Sequence, residues 1–189
     1  MDGANLNVIM KRANIKFTYH DYVQLPDDKR YELLEGEFFL VPAPNLDHQR
    51  ILRKLGTVLS TYVEREHLGE VFYAPCDVLL SDINVVQPDI IFVARDRMAI
   101  LTEANIQGPP DLLIEILSPS TGKRDLGIKR SLYAKYGVRE YWIVDPENKT
   151  VSVLSWTETG YRIKAVAPQA GPLSSGLFPD LNLDLTGIF

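Results

Sequence analysis

A single cysteine, Cys76, stands in a chain of 189 residues, so no disulfide can close within it and no four-cysteine zinc site can form. A lone thiol is more often packed than catalytic, and Cys76 is read that way. No run of about 18 apolar residues occurs, so no membrane-spanning helix is expected. Met1 to Lys16 has neither a long apolar core nor a small-residue cleavage signature. No secretory signal is therefore expected, and the cytoplasm is the default compartment. Positive charge is in deficit: 20 Lys and Arg against 25 Asp and Glu give a net −5. That excludes a generally basic nucleic-acid coat and leaves room only for a local basic patch. Internal repeats and low-complexity tracts are also missing.

What remains is an ordinary globular composition, 46% hydrophobic and 24% charged, which excludes disorder and collagen-like repeats. The length fits one domain at roughly 100–200 residues each. Residues 1–17 read as a weakly specified arm, 18–189 as one domain, and 167–189 as its C-terminal tail. Thr18 and Asp21 have capping-box spacing before a short helix over Tyr19–Gln24. A turn is expected at Pro26-Asp27-Asp28. Tyr31–Glu35, Gly36 and Glu37–Val41 predict a hairpin, stopped by Pro42 and Pro44. A long helix opens at Asn45 or Asp47 and runs to Leu68, with Gly69 as its stop and Leu52, Leu55, Leu59, Tyr62 and Val63 as its apolar stripe.

Val71–Ala74 and Val78–Leu80 predict short strands, followed by a turn at Asp82–Asn84. Val85–Val93 reads as one β-rich run. Arg95–Gln107 is a charged connection with a short helix. Asp111–Leu117, broken only by Glu115, has the pattern of a strand covered on both faces. A second helix spans Arg124–Tyr136 with Gly137 at its end. Glu140–Val144, Thr150–Trp156 and Tyr161–Val166 form an antiparallel meander. The apolar segment Leu181–Phe189 is expected to cover either the core or a partner. The order predicts a mixed α/β fold, a central mixed sheet flanked by helices, with an N-terminal hairpin and added antiparallel strands.

Two acids interrupt these apolar strands. Asp89 lies between Val85-Val86 and Ile90–Val93, and Glu115 between Leu112–Ile114 and Ile116-Leu117. A buried, ionised carboxylate costs several kcal/mol unless it is paired or metal-bound. Side by side, the two make a hard oxygen site suited to Mg²⁺ or Mn²⁺. The plainer alternative solvates Asp89 at a strand edge and pairs Glu115 with one lysine. The following helix has an inner stripe of Leu126, Lys129, Tyr133 and Tyr136, which puts Lys129 on the apolar face. Glu115 is its natural partner; snorkelling, or an i,i+4 pair with Asp125, is the competing explanation. Lys123, Arg124 and Arg130 project elsewhere and form a candidate basic rim for phosphates. His48 shares the inner stripe of the long helix at its first turn, where a histidine is more often capping or packed than a ligand.

Gln87-Pro88-Asp89, with Glu115-Ile116-Leu117 26 residues on (115 − 89), resembles the PD-(D/E)XK nuclease signature. The wider string is more specific: Tyr31–Glu37, His48-Gln49, Val86–Val93, Leu113–Thr121, Arg124-Asp125 with Lys129, and Tyr133–Pro146. Together these resemble a large bacterial family of restriction-endonuclease-like proteins of unknown function, over roughly residues 18–166. The resemblance implies a restriction-endonuclease-like core with Asp89 and Glu115 as metal ligands and the main-chain carbonyl of Ile116 completing the site. Leu117 occupies the position of the usual strand lysine, and the resemblance implies that Lys129 supplies the amine from the helix instead. His48 and Glu35 match family positions and become accessory candidates, for the metal or for a phosphate.

The activity so implied is metal-dependent phosphodiester hydrolysis, with DNA as partner and Mg²⁺ or Mn²⁺ as cofactor. A homodimer is expected because duplex cleavage favours two sites. Two other readings compete: a catalytically inactive nucleic-acid-binding or protein-interaction module, and a phosphoesterase acting on a small nucleotide. If Asp89 and Glu115 repel one another without metal, Asp89→Asn is expected to raise the melting temperature; a fall would mark a hydrogen-bond hub.

Overall fold

The computed structural model describes residues 16–26, 28–181 and 183–189. Most of the expected N-terminal arm, residues 1–15, and Asp27 of the expected turn lie outside the described residues. The fold is mixed α/β, as expected, and among the described residues its strands form two mixed sheets. The first joins β1 (Arg30–Leu34), β2 (Glu37–Val41), β4 (Val78–Ser81), β5 (Asn84–Val86) and β7 (Ile106–Gln107) in the order β2-β1-β5-β4-β7. The second joins β3 (Gly69–Tyr73), β6 (Ile90–Ala94), β8 (Leu112–Ile116), β9 (Glu140–Asp145), β10 (Thr150–Thr157) and β11 (Gly160–Pro168) in the order β11-β10-β9-β8-β6-β3. In this second sheet β8 and β9 run parallel, and the other neighbours are antiparallel.

The long second sheet is covered on both faces, and β8 shows how. Leu112, Ile114 and Ile116 join one core cluster, while Leu113 joins the other. The first cluster is closed by helix α2 (Leu46–Arg65) and by the C-terminal tail, which contributes Leu173, Phe178, Leu181, Leu183, Leu185 and Ile188. Of its two expected destinations, the apolar C-terminal segment therefore takes the core. The second cluster is closed by Leu132 and Tyr133 of α4 (Arg130–Tyr136) and by residues of the first sheet, among them Leu34, Val78 and Val86. A strand buried on both sides has no solvated face, which is why β8 reads as nearly continuous apolar sequence.

The hairpin forms where expected. Glu35 and Gly36 both take positive φ (52° and 82°), the combination a two-residue turn between twisted strands requires. The short helix α1 (Tyr19–Tyr22) is capped as its sequence predicts: Asp21 Oδ2 accepts the Thr18 N–H at 2.8 Å. Helix α2 is capped by Asn45, whose side chain accepts the His48 N–H at 2.8 Å. It ends at Arg65, short of Leu68, because His67 adopts φ 54° and its neighbour Leu68 donates back to the Val63 carbonyl. Gly69 is the first residue of β3 rather than the stop. No helix among the described residues is long and apolar enough to cross a membrane.

Four further expectations are corrected by tertiary packing. The run Val85–Val93 is two strands in different sheets, and Gln87-Pro88-Asp89 is the crossover between them. Pro88 lacks the N–H a central strand would need at that point. Asn84 opens β5 instead of closing a turn, and Ile106–Gln107 of the supposed connection pairs with β4. Finally, the helix after β8 is not uniform. It comprises α3 (Gly122–Arg124), a π turn (Asp125–Lys129) and α4. The wider π turn rotates the preceding residues, so Leu126 is 50% exposed and Asp125 is buried in its place.

Candidate functional site

Asp89 and Glu115 meet because of the β6–β8 register. Ile90 pairs with Ile114 in an antiparallel ladder, so continuing the register by one residue sets Asp89 opposite Glu115. Glu115 lies on the sheet face that carries Ile91 and Leu113, towards the π turn and α4. Asp89 stands just outside β6, at the crossover between sheets. Its Oδ2 accepts the Ile116 main-chain N–H at 2.8 Å and faces His48 Nε2 at 3.1 Å. His48 reaches it from the first turn of α2 with its other nitrogen, Nδ1, buried and without a hydrogen-bond partner among the described residues.

Lys129 is the centre of the arrangement. Its Nζ lies 2.6 Å from Glu115 Oε1, 2.8 Å from Glu32 Oε1 and 3.5 Å from Asp125 Oδ1. Both pairings anticipated for it, with Glu115 and with Asp125, are therefore present together. Glu115 Oε1 also accepts the Tyr133 hydroxyl at 2.7 Å. Glu32 Oε1 accepts the Gln87 N–H at 2.9 Å, tying the hairpin to the crossover. The carbonyl of Asp125, inside the π turn, accepts the Tyr141 hydroxyl at 3.1 Å. The cluster is thus held from β1, the crossover, β8, the π turn, α4 and β9.

The electrostatics follow from burial. Desolvation pushes the Glu115 carboxyl well above the usual carboxylate range; Lys129 opposes that rise, and Asp125, Asp89 and Glu32 add to it. Burial raises Asp125 in the same way. Burial alone would lower Lys129, but Glu115, Glu32 and Asp125 hold it well above its ordinary value, so its amine stays protonated. A cleft of about 330 Å³ opens over these groups. Among the described residues it is lined by four carboxylates (Glu32, Asp89, Glu115, Asp125) and two cations (Arg30, Lys129), a formal charge of 2 − 4 = −2 counting His48 as neutral. Pro42, Ser118 and Thr121 also wall it.

The expected residues divide cleanly. Asp89, Glu115, Ile116, Lys129 and His48 line one cleft. Glu35 is exposed on the hairpin turn; its N–H donates to Asn84 Oδ1, and it does not line the cleft. Lys123, Arg124 and Arg130 do not line it either. Arg124 lies over the Phe39 ring, 5.4 Å from its centroid. Sequence reasoning missed Glu32, Arg30 and the inward turn of Asp125. Glu32 was detectable: it shares a strand face with Leu34, which is buried. The burial of Asp125 was not, because it depends on the π turn.

The donor set is of the hard-oxygen kind that divalent cations favour, and the negative excess suits one. Among the described residues no three His, Cys, Asp or Glu side chains are grouped so as to hold a metal by themselves. Asp89 and Glu115 would therefore need a main-chain partner such as the Ile116 carbonyl. In donor chemistry and charge, these residues fit a divalent cation.

The chain resembles known proteins in two ways. Residues 19–186 match the family described as "Uma2: Putative restriction endonuclease". Among solved structures, it is similar to a crystal structure from Anabaena variabilis described as a "putative nuclease belonging to DUF820". The TM-score is 0.76 and the identity 22%, covering 92% of this chain and 97% of that one. That likeness establishes a shared fold. No curated protein matches the sequence.

Proposed function

This chain belongs to the Uma2 family, and from that premise we propose that it is a divalent-metal-dependent endonuclease that hydrolyses phosphodiester bonds in DNA. One observation carries the reading. The register of β6 and β8 brings two carboxylates opposite one another beside a buried, protonated lysine, in a cleft with excess negative charge.

In this reading Asp89, Glu115 and the Ile116 carbonyl would hold Mg²⁺ or Mn²⁺, which would supply Lewis-acid polarisation of the scissile phosphate. Hydrolysis adds water to phosphorus and breaks a P–O bond, and the departing oxygen takes a proton. Lys129 offers a fixed positive charge to the developing phosphorane, and its three carboxylate partners keep it protonated and oriented. His48 positions Asp89 through Oδ2. Glu32, not Glu35, is the hairpin's contribution, because it accepts a hydrogen bond from Lys129 Nζ at 2.8 Å.

The test is a calorimetric Mn²⁺ titration of the wild type, Asp89→Ala and Glu115→Ala, followed by cleavage assays on plasmid and single-stranded DNA. Binding by the wild type that both variants lose, with cleavage lost in parallel, is expected. A wild type that neither binds Mn²⁺ nor cuts DNA overturns the proposal. It would favour a second reading, a non-catalytic module that binds nucleic acid or protein. Two observations favour that alternative: Leu117 stands where the resembled signature has its strand lysine, and Lys129 already has three carboxylate partners.

A further inference from the structure

The cleft shares its walls with two other depressions of opposite charge. One, of about 350 Å³, meets it along Arg30 and Gln87 and is lined by Lys29, Tyr22 and Tyr31 as well. The other, of about 440 Å³, meets it along His48 and Ser118 and carries Asp47, Asp145 and Glu147. The first holds two cations and, among its described lining residues, one carboxylate. That carboxylate, Asp77, is occupied by the Tyr22 hydroxyl at 2.8 Å and the Gln87 amide at 2.7 Å. The second holds three carboxylates and no lysine or arginine among its described lining residues. A phosphate chain is attracted to the first and repelled by the second.

Within the first depression Arg30 is pre-set. Its Nε donates to Gln87 Oε1 at 2.9 Å, and Gln87 is itself fixed by Asp77 and by Tyr22 at 3.2 Å. No carboxylate among the described residues pairs with Arg30. Lys129, by contrast, is committed to three carboxylates. Of the two cations in the cleft, Arg30 is the one whose remaining donors are not engaged by an acid. A guanidinium anchored through Nε presents its terminal nitrogens as a fork, the geometry that phosphate oxygens accept. Tyr22 and Tyr31 add aromatic rings of the kind on which unpaired bases stack.

Resting on the nuclease reading above, the geometry points to a phosphate-binding subsite at Arg30 and Lys29 that takes a nucleotide flanking the scissile bond of single-stranded DNA. The strand lies across the hairpin side of the cleft and leaves it before the acidic depression at Asp145 and Glu147. Substrate contact therefore falls to Arg30 and Lys29 rather than to Lys123, Arg124 and Arg130.

The experiment is fluorescence anisotropy of a short fluorescein-labelled single strand of DNA with the full chain in EDTA, where binding is read without turnover. Arg30→Ala is expected to weaken binding about tenfold and to reduce the salt slope by about one. Arg30→Lys should recover part of the loss, since it keeps the charge and removes the fork. Lys29→Ala, at an exposed position, tests the subsite without touching the core and should weaken binding severalfold. Asp145→Asn combined with Glu147→Gln should leave affinity unchanged; tighter binding would mean that the strand crosses the acidic depression and would overturn the assigned path. Wild-type affinity in both Arg30→Ala and Lys29→Ala overturns the subsite but leaves the nuclease reading standing. A wild type that binds no strand overturns the subsite together with the DNA reading beneath it.

Discussion

Lys129 Nζ and Glu115 Oε1 lie 2.6 Å apart, and both side chains are about 95% buried, one on a π turn and the other at the end of a strand covered on both faces. Two more carboxylates crowd the same amine. The lysine is therefore what makes three buried acids tolerable, and the acids are what keep the lysine charged.

Removing that cation should be severe. Lys129→Met keeps most of the volume but leaves Glu32, Glu115 and Asp125 facing one another without a counter-charge. Breaking a buried pair in this way costs roughly 3–5 kcal/mol. Chemical denaturation should show a loss of that order, well above the cost of an exposed Lys123→Met. Equal, small losses in the two variants would refute the central role of Lys129.

The opposite sign is expected at Glu115. Its folded-state pKa is raised by burial and by neighbouring acids. The native state therefore holds the proton more tightly than the unfolded chain. Its favourable contribution is complete below the unfolded pKa and disappears as pH rises through the raised folded value. Glu115→Gln should accordingly melt higher than the wild type in EDTA near neutral pH, by about 2–4 °C for each kcal/mol recovered. The gap should close at acid pH. Added Mn²⁺ should stabilise the wild type and not the variant. A variant that melts lower at every pH would contradict the account.

Asp89 behaves differently from Glu115, although the two line one cleft. Its Oδ2 accepts the Ile116 N–H and faces His48, so repulsion from Glu115 is offset by a hydrogen-bond role. Asp89→Ala should cost about 1–3 kcal/mol by leaving that amide without its acceptor. Asp89→Asn, which keeps one carbonyl oxygen, should cost less and should not raise the melting temperature. Thermal melts of the two variants in EDTA check both statements; stabilisation by Asn would restore repulsion as the dominant effect.

The two hairpin glutamates provide an internal comparison. Glu32 is buried against Lys129, and Glu35 is exposed on the turn three residues later. Glu32→Gln should depress cleavage by at least tenfold while leaving Mn²⁺ binding measurable. Glu35→Gln should leave both activity and stability near wild type, within about 0.5 kcal/mol for an exposed substitution. The reverse ranking in a plasmid-nicking assay would return the accessory role to Glu35.

The local features were legible in the residue order because their causes are local. The hairpin needs left-handed conformations at Glu35 and Gly36, helix α2 needs a side chain that caps it, and β8 needs apolar residues on both faces. Asp89, Glu115 and Lys129 stood out for the same reason: each is a charge placed where the periodicity demands an apolar side chain. Pairing, sheet number and helix phase are not local. Nothing near Val85–Val93 in the chain says that the run divides between two sheets, since each half is equally apolar and Pro88 is compatible with a strand edge. The π turn at Asp125–Lys129 adds a residue to one helical turn, which buries Asp125 and exposes Leu126 against the 3.6-residue count. Glu32 and Arg30 reach the site only because β1 packs beside the crossover, through contacts spanning 97 positions in the chain for Glu32 with Lys129 and 57 for Arg30 with Gln87. A periodic pattern reports which face of an element is buried; which other faces it meets is decided by the packing of the whole chain.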